Sequence, residues 1–226
     1  MLIVAVDTSG RKGSVALCRG DGGSFEVLQI TSLEGGMYSA QLMPRIAEAL
    51  QQHKLDKTQV DGFVVVSGPG SFTGLRVGLA TVKGLCEVLL KPLATVSMLE
   101  AVALVHGRDG QPVTAILDAG RGEIYVGEYQ ISAGRASAVR EYIAKLDEFA
   151  SEAAHIRGGL FTPDAKVAEA LQTANAGAKL IAPIHADEIG RIGIRKLLAG
   201  ETADPPTIDV NYIRRSDAEI FSAPKH

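Results

Sequence analysis

Short runs of continuous apolar residues alternate along this chain with longer stretches whose apolar residues recur every three or four positions. That is the pattern of strands interleaved with helices. Leu2-Ile3-Val4-Ala5-Val6 is apolar throughout, as in a central strand covered on both faces, and it stops at Asp7-Thr8-Ser9-Gly10. Residues 13–18 and 25–30 read as two more strands, separated by Gly-rich turns. From Tyr38 to Gln52, Leu42, Ile46 and Leu50 recur at helical spacing with Met43 and Ala47 beside them, and Pro44 marks the first turn or a kink. Residues 61–67 supply the next strand. Gly68-Pro69-Gly70 must then turn, and Ser71 or Thr73 can cap a helix running to about Leu90.

The second half begins in the same way. Residues 113–117 form an apolar strand ending in Asp118-Ala119-Gly120-Arg121-Gly122, and residues 123–129 return. VAVDTSGRKGSVAL and TAILDAGRGEIYVG share the order strand, Asp, small residues, Gly-Arg, Gly, strand. This reads as a duplicated unit, one per lobe, with chance similarity of two hairpins as the alternative. Further on, residues 145–152, 163–175 and 187–198 look helical, with short strands near His155-Ile156-Arg157 and at 179–181. Pro205-Pro206 marks a linker or turn, and residues 210–214 close the chain before a tail.

The helix after the Gly-Pro-Gly turn is the most unusual element. Arg76, Lys83 and Glu87 share one narrow stripe, and nearly everything else on it is apolar or small. Such a helix is usually buried on more than one side. Gly74 and Gly78 lie one turn apart, and each costs about 1 kcal/mol relative to Ala in a helix interior. Close approach of another backbone explains that cost. Two readings stay open: a core helix of this chain alone, or a helix partly left for a partner.

Composition narrows the class. With 226 residues the chain can hold one large domain or two small lobes, and 46% apolar content with mixed charge fits a globular protein. A net charge of −3 argues against a free-standing nucleic-acid binder. Leu2 to Val6 is too short for a signal-peptide core or a membrane span. Cys18 and Cys86 have no CxxC spacing and read as reduced core residues, so a cytoplasmic location is expected.

Several chemistries lack their residues. No Gly-Lys-Ser/Thr follows the glycine-rich turn, and GPGSFTG is not a serine-hydrolase elbow. The histidines 53, 106, 155, 185 and 226 are not paired at i, i+3 or i+4, so a histidine metal site is poorly supported. Asp7 with Thr8 and Ser9 could hold a nucleotide's magnesium through water, with Asp118 opposite it if the repeat is real. The alternative is that Asp7 and Ser9 only satisfy turn amides.

VAVDTSGRKGSVAL, the helix around YSAQLMPRI, the run SGPGSFTGLRVGLATVKGL, the LDAGRGEIYVGEY hairpin and the closing NYIRR together resemble the TsaB (YeaZ) family. The resemblance implies an α/β fold of two lobes like the actin, sugar-kinase and Hsp70 ATPases (ASKHA, ribonuclease H-like), with mixed sheets flanked by helices. The lobes would be 1–105 and 106–226, the tail packing back on the first. Asp7-Thr8-Ser9 would occupy the first phosphate-loop position and Asp118 the second, with at most weak ATP or ADP binding and no required cofactor. The metal-binding histidines of the catalytic relative TsaD align with Met98 and Val102, and two apolar side chains cannot ligate such a cation. The family therefore implies a non-catalytic subunit of tRNA threonylcarbamoyladenosine formation that pairs with and activates TsaD.

The joint would involve Tyr38, Leu42 and Ile46 of the first helix and Gly74, Leu75, Arg76, Gly78, Leu79, Val82, Lys83 and Cys86 of the glycine-rich helix. On this reading Gly74→Leu weakens the pairing and leaves the monomer folded. TsaE would join the pair, tRNA would be met only through the complex, and the chain would self-pair when alone. Two enzyme readings stand against it. One is a stand-alone ATPase or kinase using Asp7 and Asp118; the other is a glycoprotein peptidase, suggested only by the relatives' older peptidase M22-like label.

Overall fold

The computed structural model describes residues 1–209, 211 and 213. The expected closing segment 210–214 and the tail thus lie largely outside the described residues. The chain divides into two compact units, Met1–Ala101 with Pro183–Val210, and a second built on Val102–Ala182. It passes from the first unit to the second after Ala101 and returns at Pro183.

The first unit holds a five-stranded sheet of β1 (Leu2–Asp7), β2 (Lys12–Gly20), β3 (Phe25–Glu34), β4 (Gly62–Gly68) and β5 (Leu93–Ser97), in the order β3-β2-β1-β4-β5. β1 pairs antiparallel with β2 and parallel with β4, with Asp7 opposite Ser14. All six residues of β1 are buried, which is why its apolar run is unbroken. The helices α1 (Tyr38–Gln52) and α2 (Phe72–Leu89) pack on the sheet and on each other. Pro44 lies inside α1, at an exposed position.

Another helix of this unit, α6 (Ala186–Leu198), arrives from beyond the second unit. Two glycines let it lie close to the sheet. A Cβ at Gly190 would touch Cys18 Sγ and Ala5 Cβ at 3.1 and 3.3 Å, and one at Gly193 would collide with Val64. This docking is the physical reason for the second crossing. Polar contacts fix both ends: the Ser14 hydroxyl accepts the Ala186 N–H at 2.9 Å, and Lys196 Nζ lies 2.7 Å from Glu100 and donates to the Thr95 carbonyl at 3.1 Å. Glu100 sits in the first turn of α3 (Met98–His106).

The second unit carries a sheet of β6 (Pro112–Gly120), β7 (Glu123–Ser132), β8 (Arg135–Lys145), β9 (Gly159–Thr162) and β10 (Lys179–Leu180), in the order β8-β7-β6-β9-β10. Order and strand sense repeat those of the first sheet, β6 standing where β1 stands, so the faint sequence repeat corresponds to a duplicated topology. The fold class is the expected one: α/β, with two mixed sheets flanked by helices. α4 (Leu146–Ala153) and α5 (Ala165–Thr173) complete a core around Ile116, Ile124, Val126, Phe149, Leu160 and Leu171. The strand expected at residues 155–157 lies at Gly159–Thr162 instead, after Gly158 with φ of 97° turns the chain.

Gly193→Ala is expected to lower stability by about 1–3 kcal/mol, because the added methyl meets Val64 in the sheet. The urea midpoint measures this; an unchanged midpoint would contradict the close docking of α6.

Candidate functional site

The turn between β1 and β2 gathers the residues of the candidate phosphate loop. Asp7, Thr8 and Ser9 are all buried. Asp7 Oδ1 accepts both the Ser9 N–H at 2.9 Å and the Ser9 hydroxyl at 2.7 Å, an Asx-type turn closed on its own side chain. Burial pushes the Asp7 carboxyl above its ordinary 3.8, against the downward pull of the two Ser9 hydrogen bonds and of His185. The Ser9 carbonyl in turn accepts the Ser71 N–H at 2.6 Å. Gly70 makes this approach possible, since a Cβ there would lie 2.5 Å from the Ser9 oxygen.

Ser71 is the N-cap of α2, and its hydroxyl accepts the Gly74 N–H at 3.3 Å. A Cβ at Gly74 would collide with the Thr8 carbonyl, and one at Gly78 with Thr8 Oγ1. That hydroxyl is buried without a hydrogen-bond partner among the described residues. Tyr38 fills the remaining corner. Its ring would lie 2.8 Å from a Cβ at Gly13 and 3.1 Å from one at Gly74, and its hydroxyl donates to the Gly10 carbonyl at 2.8 Å. Burial, with Asp7 and Glu34 nearby, pushes the Tyr38 phenol up to about 12, so it stays a donor.

These contacts correct the expected joint. The close approach that Gly74 and Gly78 permit is made by Thr8 of the same chain. Tyr38, Leu42, Ile46, Leu75, Leu79, Val82 and Cys86 are buried as well, within the chain itself. Gly74→Leu therefore disrupts the monomer instead of leaving it folded. Lys83 donates to the Ile208 carbonyl at 2.9 Å, holding the segment that follows α6, and the Arg76 guanidinium lies 3.7 Å over the Phe72 ring.

The outward faces carry different residues. Ala40, Met43 and Ala47 are exposed on α1, as are Ala80, Gly84 and Val88 on α2. A Cβ at Gly84 would have nothing within 4 Å, so this chain gives no reason for that glycine. Val88, 79% exposed, and Leu90, 89% exposed, stand out furthest among the described large apolar side chains. Spacing alone could not separate Gly84 from Gly74 and Gly78; their surroundings do.

Asp118 belongs to the second unit, is exposed, and closes its own turn by accepting the Gly120 N–H at 2.8 Å. Its N–H donates to Asp164 Oδ2 at 2.8 Å. Sequence reading gave Asp164 no role, and it has no motif that would have marked it. Burial raises its carboxyl pKa; the Asp118 N–H opposes the shift and the Asp118 charge adds to it. Met98 and Val102 are buried apolar residues of α3, and the described residues hold no group of three His, Cys, Asp or Glu placed to bind a metal. Cys18 and Cys86 are free and buried, and burial pushes both thiols up to about 12. No described helix is long and apolar enough to cross a membrane.

A family model described as TsaD, tRNA N6-adenosine threonylcarbamoyltransferase, matches residues 35–184. The Bacillus subtilis (strain 168) tRNA threonylcarbamoyladenosine biosynthesis protein TsaB is 38% identical over 136 residues, covering 59% of this chain and 57% of that one. The Escherichia coli (strain K12) protein of the same name is 32% identical over 132 residues, covering 58% and 55%. The matched stretches thus span little more than half the length of these relatives. Among solved structures, YeaZ from Pseudomonas aeruginosa superposes with a TM-score of 0.70 at 23% identity, over 92% of this chain and 98% of that one, a likeness of fold.

Two substitutions probe the turn. Gly74→Ala is expected to destabilise the protein by about 1–3 kcal/mol despite the better helix propensity of Ala, through its clash with Thr8. An unchanged or raised melting temperature would contradict that contact. Asp7→Asn keeps an acceptor for Ser9 and removes the buried charge. Because the folded-state pKa of Asp7 lies above 3.8, wild-type stability falls as pH rises through that raised value. Asn is therefore expected to raise the melting temperature at pH 7.5, with the gain vanishing towards pH 3.5. A gain independent of pH would contradict the assignment.

Proposed function

The chain belongs to the TsaB/YeaZ family, and from that premise we propose that it serves tRNA threonylcarbamoyladenosine formation as a non-catalytic subunit. In this reading the outward faces of α1 and α2 dock on TsaD and fix the geometry of its active cleft. TsaE joins the pair, and tRNA is met through the complex. Without TsaD the same face seeks cover on a second copy of the chain.

The observation that carries the reading is Gly84. It lies in the exposed stripe Ala80-Gly84-Val88 of an 18-residue helix, with open space where a side chain would be. Glycine there costs about 1 kcal/mol relative to Ala and gains nothing within the chain. A partner helix crossing close to α2 would explain it, as Thr8 explains Gly74 and Gly78. Met43 on α1 and Val88 on α2 supply apolar surface that such a partner would cover. The relatives' names support threonylcarbamoyladenosine formation as the process. Apolar Met98 and Val102 at the positions aligned with TsaD's metal ligands support a supporting role over a catalytic one.

Gly84→Leu is the direct test, because a Cβ there has nothing within 4 Å and the position is exposed. The monomer is expected to melt no lower than wild type, while affinity for TsaD, measured by analytical ultracentrifugation, falls at least tenfold, about 1.4 kcal/mol. Unchanged affinity would overturn the docking face.

A further inference from the structure

We infer that Asp7 is a positioning residue for both α1 and α2, and that the turn it closes does not hold a magnesium nucleotide through that carboxylate. What the positioning is for rests on the docking face proposed above; the geometry of the turn stands without it.

A carboxylate that serves a bound magnesium nucleotide directs its lone pairs at the ion's water shell and stays ionised beside the cation. Asp7 has a different setting. Its Oδ1 is occupied by the N–H and the hydroxyl of Ser9, both inside the protein. With Oδ1 committed to the turn, only Oδ2 could face an ion's water shell, and the bonds the carboxylate makes hold Ser9.

The turn that Asp7 closes presents three consecutive backbone carbonyls to the helices. The Thr8 carbonyl lies against Gly74, and the Thr8 hydroxyl against Gly78. The Ser9 carbonyl accepts the N–H of Ser71, the N-cap of α2, at 2.6 Å. The Gly10 carbonyl accepts the hydroxyl of Tyr38, the first residue of α1, at 2.8 Å. One turn thus registers the starts of both helices. Asp7 makes none of these contacts itself; it acts through Ser9.

Removing the Asp7 acceptor would leave the buried Ser9 N–H and hydroxyl unpaired. The turn would then re-form around other partners, carrying its carbonyls away from Ser71 and Tyr38. Only an acceptor oxygen is required, so Asn at position 7 suffices. A magnesium site, by contrast, needs the charge.

The experiment compares wild type, Asp7→Asn and Asp7→Ala in two ways. Amide exchange of the isolated chain is followed at residues 38–42 and 71–75, and affinity for TsaD is measured in parallel. Asp7→Ala is expected to speed exchange at both helix starts and to weaken pairing five- to tenfold; Asp7→Asn is expected to exchange no faster than wild type and to pair within twofold of it. Millimolar Mg-ATP added to the isolated wild-type chain is expected to leave the amides of residues 7–11 unmoved. An Asn variant as defective as Ala, or Mg-ATP binding that Asp7→Asn abolishes, would overturn the inference. Should Asp7→Ala not fold, Gly70→Ala replaces it, pushing the Ser9 carbonyl off Ser71; unchanged exchange in residues 71–75 would then overturn the inference. If wild type fails to bind TsaD, the functional reading falls, while the exchange data still decide the role of Asp7.

Discussion

Four residues at the end of β1 set the arrangement of the first unit, because a buried turn must find partners for its backbone polar groups. Asp7 satisfies Ser9, and the carbonyls of Thr8, Ser9 and Gly10 are then free to meet two helices. Each meeting requires a residue without a side chain in the way. Gly70, Gly74 and Gly78 supply that space on the α2 side, and Gly13 leaves room for the Tyr38 ring. The glycine-rich run is thus the complement of a polar turn. Its function in this unit is packing, and the same packing aims the outer faces of α1 and α2.

The duplicated topology makes the specialisation visible. β6 and β7 repeat the arrangement of β1 and β2, and Asp118 stands at the matching strand end. Yet Asp118 is exposed, and its N–H pairs with Asp164 at the start of α5, in a unit whose described helices are not glycine-rich. Two related turns therefore carry different loads. The first organises helices; the second ties neighbouring strand ends.

Much of this was legible beforehand. The unbroken apolar run of β1, the helical spacing of Leu42, Ile46 and Leu50, and the Gly-Pro-Gly stop before α2 all report local physics, and each element lies where its pattern placed it. β8 escaped notice because it is a mostly exposed edge strand with little apolar alternation, and α3 because its short apolar sequence has no polar face to mark a period. Most residues expected at the joint are instead buried within the chain, and the reason lies deeper. Sequence shows that a glycine permits close approach and cannot say which chain approaches. Gly74 and Gly78 face Thr8, whereas Gly84 faces open space, and only three-dimensional surroundings separate them. Lys83 was placed at a joint for the same lack, since its partner, the Ile208 carbonyl, lies 125 positions away.

The most direct measurement is a crystal structure of this chain with TsaD, grown with Mg-ATP. The account predicts a TsaD helix in van der Waals contact with the bare backbone of Gly84, flanked by Ala80 and Val88. It predicts also that Asp7 stays bonded to Ser9, with no metal on its carboxylate. A complex that leaves Gly84 open to solvent, or places magnesium on Asp7, would contradict it.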